Sequence, residues 1–285
     1  MNRRPPPRGS PWSRAEIAGK PPAGSDARER AAASARGGEM RLYGLHACLA
    51  AFAHRPEALR KVYLVESRIP LLKEVLAWCV ARRLGYRVVE EGDLERLTSS
   101  RHHQGVCFDL VRPAPLTLEA LLERLPAAPE PSLMLWLDGV GNPHNLGAVL
   151  RSAAHFGVAG VLVPEASGLE VSGAAARVAE GAAEHVPLAQ VPSATRGLAA
   201  LAGHGYRVAA TVPRTGASLY ATSLPARLVL VFGAEGEGMS AAMLAAADVR
   251  LTIPGSGKVV SLNVAASVAV VLGECWRQMQ PPLPM

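Results

Sequence analysis

Three stretches of the chain carry residue types from which a ligand site can be built. The first, 138–157, reads DGVGNPHNLGAVLRSAAHFG and places Asn145 and Arg151 along one helix-like run. An arginine beside a strand end can hold a phosphate or a developing negative charge, because its guanidinium is always cationic and presents a planar fork of donors. The bland alternative is a solvated helix residue. Asn145 can cap the helix by accepting backbone N–H bonds. The second stretch, 228–240, reads LVLVFGAEGEGMS. Gly233 directly follows an apolar run and, lacking a Cβ, lets a ligand approach the main chain; Glu235 stands just beyond it. The third, 251–263, reads LTIPGSGKVVSLN: Ile253 and Pro254 lead into a loop of small residues, and Ser261, Leu262 and Asn263 stand at the mouth of an apolar helix-like run.

Other chemistries are disfavoured by the same stretches. GAEGEG lacks the G-x-G-x-x-G spacing of a dinucleotide loop, which argues against a nucleotide-dependent oxidoreductase. GSGK at 255–258 is not a phosphate loop, since Thr252 stands where that motif needs glycine and Val259 follows Lys258. The four cysteines, Cys48, Cys79, Cys107 and Cys275, form no C-x-x-C pair and sit among apolar residues, so they read as buried free thiols. His102, His103 and Cys107 have no second ligand pair nearby, and no metal site is expected.

The elements that must position these loops alternate along the chain. Residues 1–40 are rich in Pro, Arg, Gly, Ala and Ser and are expected to be disordered, as either an inert tail or an RNA-contacting arm. From 41 the pattern predicts a helix over 42–53, strands over 61–66, 86–90 and 105–111, and helices over 70–84 and 92–98. That is a small α/β domain over 41–111. Five prolines mark 112–132 as a linker around a short helical run at 118–125. From 133 to 279, strands are predicted over 133–138, 158–164, 184–191, 206–212, 228–233 and 249–254. Helices lie between and after them, over 145–156, 172–180, 193–203, 239–247 and 261–277, and 280–285 is a tail. Short buried strands separated by helices imply a mainly parallel sheet covered on both faces. Such sheets bind ligands outside the C-terminal ends of their strands, where the three stretches lie. The last helix, apolar nearly all round, is expected to be buried.

Length and composition agree with a globular protein: 285 residues, 49% hydrophobic and 19% charged. No apolar run reaches the ~20 residues needed to span a bilayer. The N-terminus has no apolar core after its arginines, so a cytoplasmic address is the default. The net charge of +6 is compatible with a nucleic-acid partner, although residues 1–40 carry much of it, with seven Arg and one Lys against four acidic residues.

Taken together, the three stretches resemble the three signature motifs of the SpoU-type RNA 2′-O-ribose methyltransferases of the SPOUT superfamily. Asn145 to Arg151 with SAAHFGV looks like motif one, LVFGAEGEGMS motif two and IPGSGKVVSLNV motif three. RLYGLHA and HHQGVCF, at the two ends of 41–111, resemble that family's substrate-binding domain. The resemblance implies a parallel-sheet domain with a deep trefoil knot, preceded by a small α/β RNA-binding domain. It also implies a homodimer built around the knot, S-adenosylmethionine as cofactor and structured RNA, ribosomal or transfer, as substrate. Carried over by position, Gly233, Ile253 and Leu262 match cofactor-contacting positions. Arg151 matches the family's essential arginine, and Asn145, Glu235, Ser261 and Asn263 match its remaining motif residues. Gly255 stands where the family commonly has Met, and Asn142-Pro143 where Asp-Pro is frequent. The other reading is an RNA-binding protein that keeps the fold without catalysis.

Overall fold

The first strand begins where apolar residues start to alternate. In the computed structural model, which describes residues 38–234, 236 and 238–279, EMRLY forms β1 (Glu39–Tyr43) with Met40 and Leu42 buried. Gly44 (φ 98°) breaks the strand, and α1 (Leu45–His54) follows. The helix expected over 42–53 therefore starts later. The tail expected over 1–40 ends earlier, because period-two burial claims residues 39–43 for a sheet. The rest of that tail, 1–37, and the expected tail 280–285 lie outside the described residues.

The smaller domain continues with β2 (Leu59–Leu64), α2 (Lys73–Arg82), β3 (Gly85–Val88), α3 (Glu91–Thr98) and β4 (Val106–Val111). Its sheet runs β1-β4-β2-β3, with β4 antiparallel to both neighbours and β3 parallel to β2. Cross-strand partners Arg41 and Asp109 fix the register with a 2.8 Å ion pair. Residues Glu66–Leu71 form a 3₁₀ segment around Pro70, so the helix expected from 70 starts at Lys73.

The proline-rich stretch 112–132, expected as a linker, is itself folded onto the larger sheet. It contributes β5 (Leu116–Thr117), paired with a strand of that sheet, and α4 (Leu118–Leu122). Thr117 caps α4 by accepting the Ala120 N–H at 3.2 Å, and the helix turns Leu118, Leu121 and Leu122 onto one buried face. Prolines at its borders do not prevent this, because none lies within the helix.

The larger sheet contains β6 (Ser132–Asp138), β7 (Gly160–Pro164), β8 (Leu188–Val191), β9 (Arg207–Thr211), β10 (Ala217–Ser218), β11 (Arg227–Gly233) and β12 (Val249–Thr252). Its order is β10-β12-β9-β11-β6-β7-β8-β5, and every pairing is parallel. After β8 the chain crosses to the other side of β6, which places a topological switch at the middle of the sheet. The intervening helices are α5 (Pro143–His155), α6 (Gly173–Ala179), α7 (Ala194–Gly203), α8 (Ala241–Ala246) and α9 (Val264–Met279). One face is packed by α5, α6 and α9 through Leu146, Leu150, Ala175, Val268 and Leu272. The other is packed by α4, α7 and α8 through Leu121, Leu201 and Met243. Fully buried Trp136 and Phe232 alone contribute roughly 1.5–3 kcal/mol each in apolar burial.

Helix α9 corrects one expectation. It buries a single stripe, Val264, Val268, Val271, Leu272 and Cys275, and exposes Ala266, Trp276 and Met279. Alanine and valine fill both sides of the sequence pattern, so composition alone hides this asymmetry. All four cysteines are buried and free, and burial pushes the Cys107 and Cys275 thiols up to about 12. Among the described residues no helix is long and apolar enough to cross a membrane.

The two sheets meet through α6. A Cβ on Gly173 would lie 2.5 Å from the Arg41 carbonyl oxygen, and Ala176 is buried in the core of the smaller domain. Arg55 adds a two-pronged contact to Glu184, at 2.8 and 2.9 Å.

Candidate active site

The strand order places β12, β9, β11 and β6 side by side, so the loops leaving their C-terminal ends share one edge. Asp138 and Gly233 are register partners at the ends of β6 and β11. Asp138 Oδ2 accepts the Ser240 N–H at 2.7 Å and so ties down the far end of the second stretch. Between them, Ala234 and Gly238 exchange N–H···O bonds of 2.9 and 3.0 Å. A Cβ on Gly233 would lie 2.5 Å from the Gly238 carbonyl carbon and 2.6 Å from the Met239 nitrogen. Glycine is required here because the loop folds back over the strand end. The chain's own backbone therefore occupies the approach to that Cα that was expected for a ligand. Glu235 lies outside the described residues.

The third stretch is tied to the same edge. Thr252 Oγ1 accepts the Gly216 N–H at 3.0 Å, and the Leu251 carbonyl accepts the Val212 N–H at 2.8 Å. Ile253 packs partly on the core, whereas residues 254–262 are exposed and, among the described residues, no atom lies within 4 Å of a Cβ built on Gly255. Ser261 and Leu262 therefore lie on an exposed loop ahead of α9 rather than inside it. Asn263 ends the loop: its Oδ1 accepts the N–H groups of Ala265 (2.9 Å) and Ala266 (3.4 Å), which caps α9. Its Nδ2 donates to Asn145 Oδ1 at 3.2 Å, joining the first and third stretches. Asn145 does not cap α5. Asn142 does so, accepting the His144 N–H at 2.8 Å with Pro143 at the first helical position.

Arg151 is placed differently. Six residues along α5 is about 9 Å of rise and more than one and a half turns, so Arg151 and Asn145 face different ways. Arg151 Nη2 lies 3.3 Å from Glu180 Oε2. Glu180 Oε1 is 3.5 Å from Arg177 Nη1, and Arg177 Nε donates to the His102 carbonyl of the smaller domain at 3.0 Å. The close approach of α6 to α5 depends on Gly147, where a Cβ would collide with the Ala175 carbonyl oxygen and lie 2.7 Å from Val178 Cβ. Thus one chain brings Asn145, Asn263, Gly233 and Ile253 to one edge, and it turns Arg151 toward the junction of the two domains. Asp138 was absent from the sequence candidates. Its signal is an acid ending an apolar strand ahead of a distant Ser240 that begins a helix.

The open space around Gly255 and the exposed main chain of 254–262 fit an adenosyl group held by backbone contacts, with Ile253 as an apolar wall. Among the described residues no group of three His, Cys, Asp or Glu side chains is placed to hold a metal.

Residues 132–273 match the SpoU rRNA Methylase family, and residues 41–116 match the RNA 2′-O ribose methyltransferase substrate binding family. The uncharacterized tRNA/rRNA methyltransferase YfiF of Escherichia coli is 42% identical over 243 residues, 85% of this chain and 69% of that protein. The 23S rRNA (guanosine-2′-O-)-methyltransferase RlmB of Shewanella oneidensis is 34% identical over 242 residues, covering 83% of this chain and 96% of that one. The crystal structure of the SpoU methyltransferase AviRb from Streptomyces viridochromogenes, in complex with AdoMet, superposes with a TM-score of 0.72. It covers 86% of this chain and 92% of that one at 22% identity, a likeness of fold. Two family matches in tandem and relatives aligned over most of their length assign the chain: it is a member of the SpoU rRNA methylase family.

Proposed function

We propose that the protein transfers a methyl group from S-adenosylmethionine to a ribose 2′-OH in structured RNA, ribosomal or transfer. The observation that carries this reading is the Asn145–Asn263 hydrogen bond, which links two motif stretches beside the loop-rich ends of β11 and β12. A sulfonium donor arrives already activated, so the protein's task is alignment and charge stabilisation. Gly233, Ile253 and Leu262 belong to the loops that hold the cofactor. Asn145 and Asn263 orient the ribose, with Glu235 and Ser261 as further catalytic residues. Arg151 binds a neighbouring RNA phosphate and stabilises the oxygen as it loses its proton, which requires its side chain to leave Glu180. The proton departs through phosphate, water or Arg151 itself. In this division of labour, 41–111 docks the RNA, 133–279 performs the transfer in the cytoplasm, and 112–132 joins them.

The protein acts as a homodimer formed about α9 and the 254–262 loop, the region of the proposed knot. Val259, Val260, Leu262 and Trp276 support this, since they expose 69, 65, 45 and 45% of their surfaces on that loop and near the end of α9. Removing one charge-stabilising donor costs about 3–4 kcal/mol. Arg151→Ala is therefore expected to lower methyl transfer a few-hundredfold while calorimetry shows unchanged S-adenosylmethionine binding. Near-full methylation by that variant removes the role of Arg151. A wild-type protein that binds RNA but no S-adenosylmethionine is instead a non-catalytic RNA-binding protein.

A further inference from the structure

Arg151 opens into a cleft of about 510 Å³ at the junction of the two domains. Three histidines from separate elements line it: His46 on α1, His155 on α5, and His185 after the 3₁₀ turn Ala182–Glu184. All three are exposed. Exposed histidines are ordinary singly; here three of them line one cleft with the arginine assigned to phosphate. They do not converge as metal ligands would. The volume lies within the ~300–1,000 Å³ usual for a small-molecule site, and a bare anion would leave most of it unfilled.

The cleft has fixed walls. Gly181 (φ 94°) brings the larger domain so close that a Cβ there would lie 2.8 Å from Ala50 Cβ on α1. Arg55 and Glu184 clamp the same junction, and His185 packs edge-on against His54 at 4.5 Å. Among the described residues, Glu180 is the one carboxylate on the wall. Its charge is shared between Arg151 and Arg177, at 3.3 and 3.5 Å. Arg151 is 61% exposed, and an ion pair in that setting contributes little. A phosphate can therefore take the place of the carboxylate.

We propose that this cleft takes one nucleotide of the substrate RNA, next to the methylated one. The phosphate lies among Arg151, His46 and His185, and the base lies against an imidazole ring. Imidazole N–H groups donate to phosphate, and histidine rings stack on unstacked bases. A nucleotide held there touches both domains at once, so docking by the smaller domain places the phosphate at the arginine of the larger. The inference rests on RNA being the substrate, and its test reads RNA affinity apart from methyl transfer.

The test uses the full chain with His46, His155 and His185 changed in turn to Glu, Ala and Arg. Filter binding to a 23S rRNA transcript and to bulk tRNA is measured at fixed salt, with calorimetry for S-adenosylmethionine. Hydrogen bonds to charged groups are worth ~1.5–3 kcal/mol, so the His46→Glu and His185→Glu variants are expected to raise the RNA Kd about tenfold or more. His→Arg at either position is expected to retain affinity, and cofactor affinity is expected to stay within about twofold, since these contacts lie outside the cofactor loops. Where a Glu variant also loses cofactor binding, the Ala and Arg variants decide: loss with Ala and retention with Arg support the cleft. Equal RNA affinity for wild type, Ala and Arg overturns it, as does a wild type that binds neither RNA. Histidine-dependent RNA binding without methyl transfer keeps the cleft and removes the methyltransferase reading. Methyl transfer with histidine-independent RNA binding does the reverse.

Discussion

Replacing Gly147 by alanine separates stability from geometry. The added Cβ would lie 2.7 Å from Val178 Cβ, whereas ordinary contact begins at 3.4 Å, and it would also collide with the Ala175 carbonyl oxygen. Helices α5 and α6 must therefore move apart by most of an ångström. Overpacking of this kind costs about 1–3 kcal/mol. Alanine's better helix propensity offsets about 1 kcal/mol of that. The net loss of roughly 0–2 kcal/mol corresponds to a Tm drop of no more than about 8 °C for a chain of this size. The effect on activity is larger. Arg151 lies one turn along the same helix, and a misplacement of about 1 Å at a reacting geometry costs on the order of 100-fold. Gly147→Ala should therefore remain folded at 25 °C and lose about 100-fold in kcat/KM, measured by transfer of labelled methyl to RNA beside a circular-dichroism melt. Wild-type kcat/KM in this variant would refute the claim that α5–α6 contact sets the position of Arg151.

Three further outcomes follow from the same geometry. Asn145→Ala and Asn263→Ala should be non-additive by about 0.5–1.5 kcal/mol in a double-mutant cycle read by urea unfolding, since each removes the same hydrogen bond; strict additivity contradicts the link. Hydrogen bonds from Arg277 and Gln278 hold the Glu274 carboxyl at about 2, below its ordinary 4.5. A depressed folded-state value stabilises above pH ~4.5 and is lost as pH falls toward about 2. Glu274→Gln should therefore flatten the acid limb of the Tm–pH curve in that window, and an unchanged limb argues against the network. With the Cys107 and Cys275 thiols pushed up to about 12, thiol reagents at pH 8 should label the native protein slowly and the unfolded protein fully; rapid native labelling of either contradicts its burial.

The parallel sheet was legible because its central strands are unbroken apolar runs with sharp ends, at Asp138 for β6 and Gly233 for β11. The two-residue strands β5 and β10 were not, because so short a pairing leaves no periodicity of its own. Strand β1 was masked by the helix formers that follow it. Prolines around 112–132 suggested a linker, although the leucines between them share one helical face that needs covering. Within the site, residue types and motif order singled out stretches that the sheet brings to one edge. The pairing of Asn145 with Asn263, 118 residues apart, is a tertiary fact that no local pattern encodes. So is the use of Gly233 to admit the loop's own backbone, and so is the meeting of His46, His155 and His185, which lie far apart in the chain.

The central claim is the chemical position of the methyl group. RNA incubated with the protein and methyl-labelled S-adenosylmethionine can be hydrolysed completely in alkali. A methylated 2′-oxygen cannot attack the adjacent phosphodiester, so label is expected in an alkali-resistant dinucleotide, absent with Arg151→Ala. Label recovered in mononucleotides, marking methylation of a base, or no transfer to ribosomal or transfer RNA at all, would contradict it.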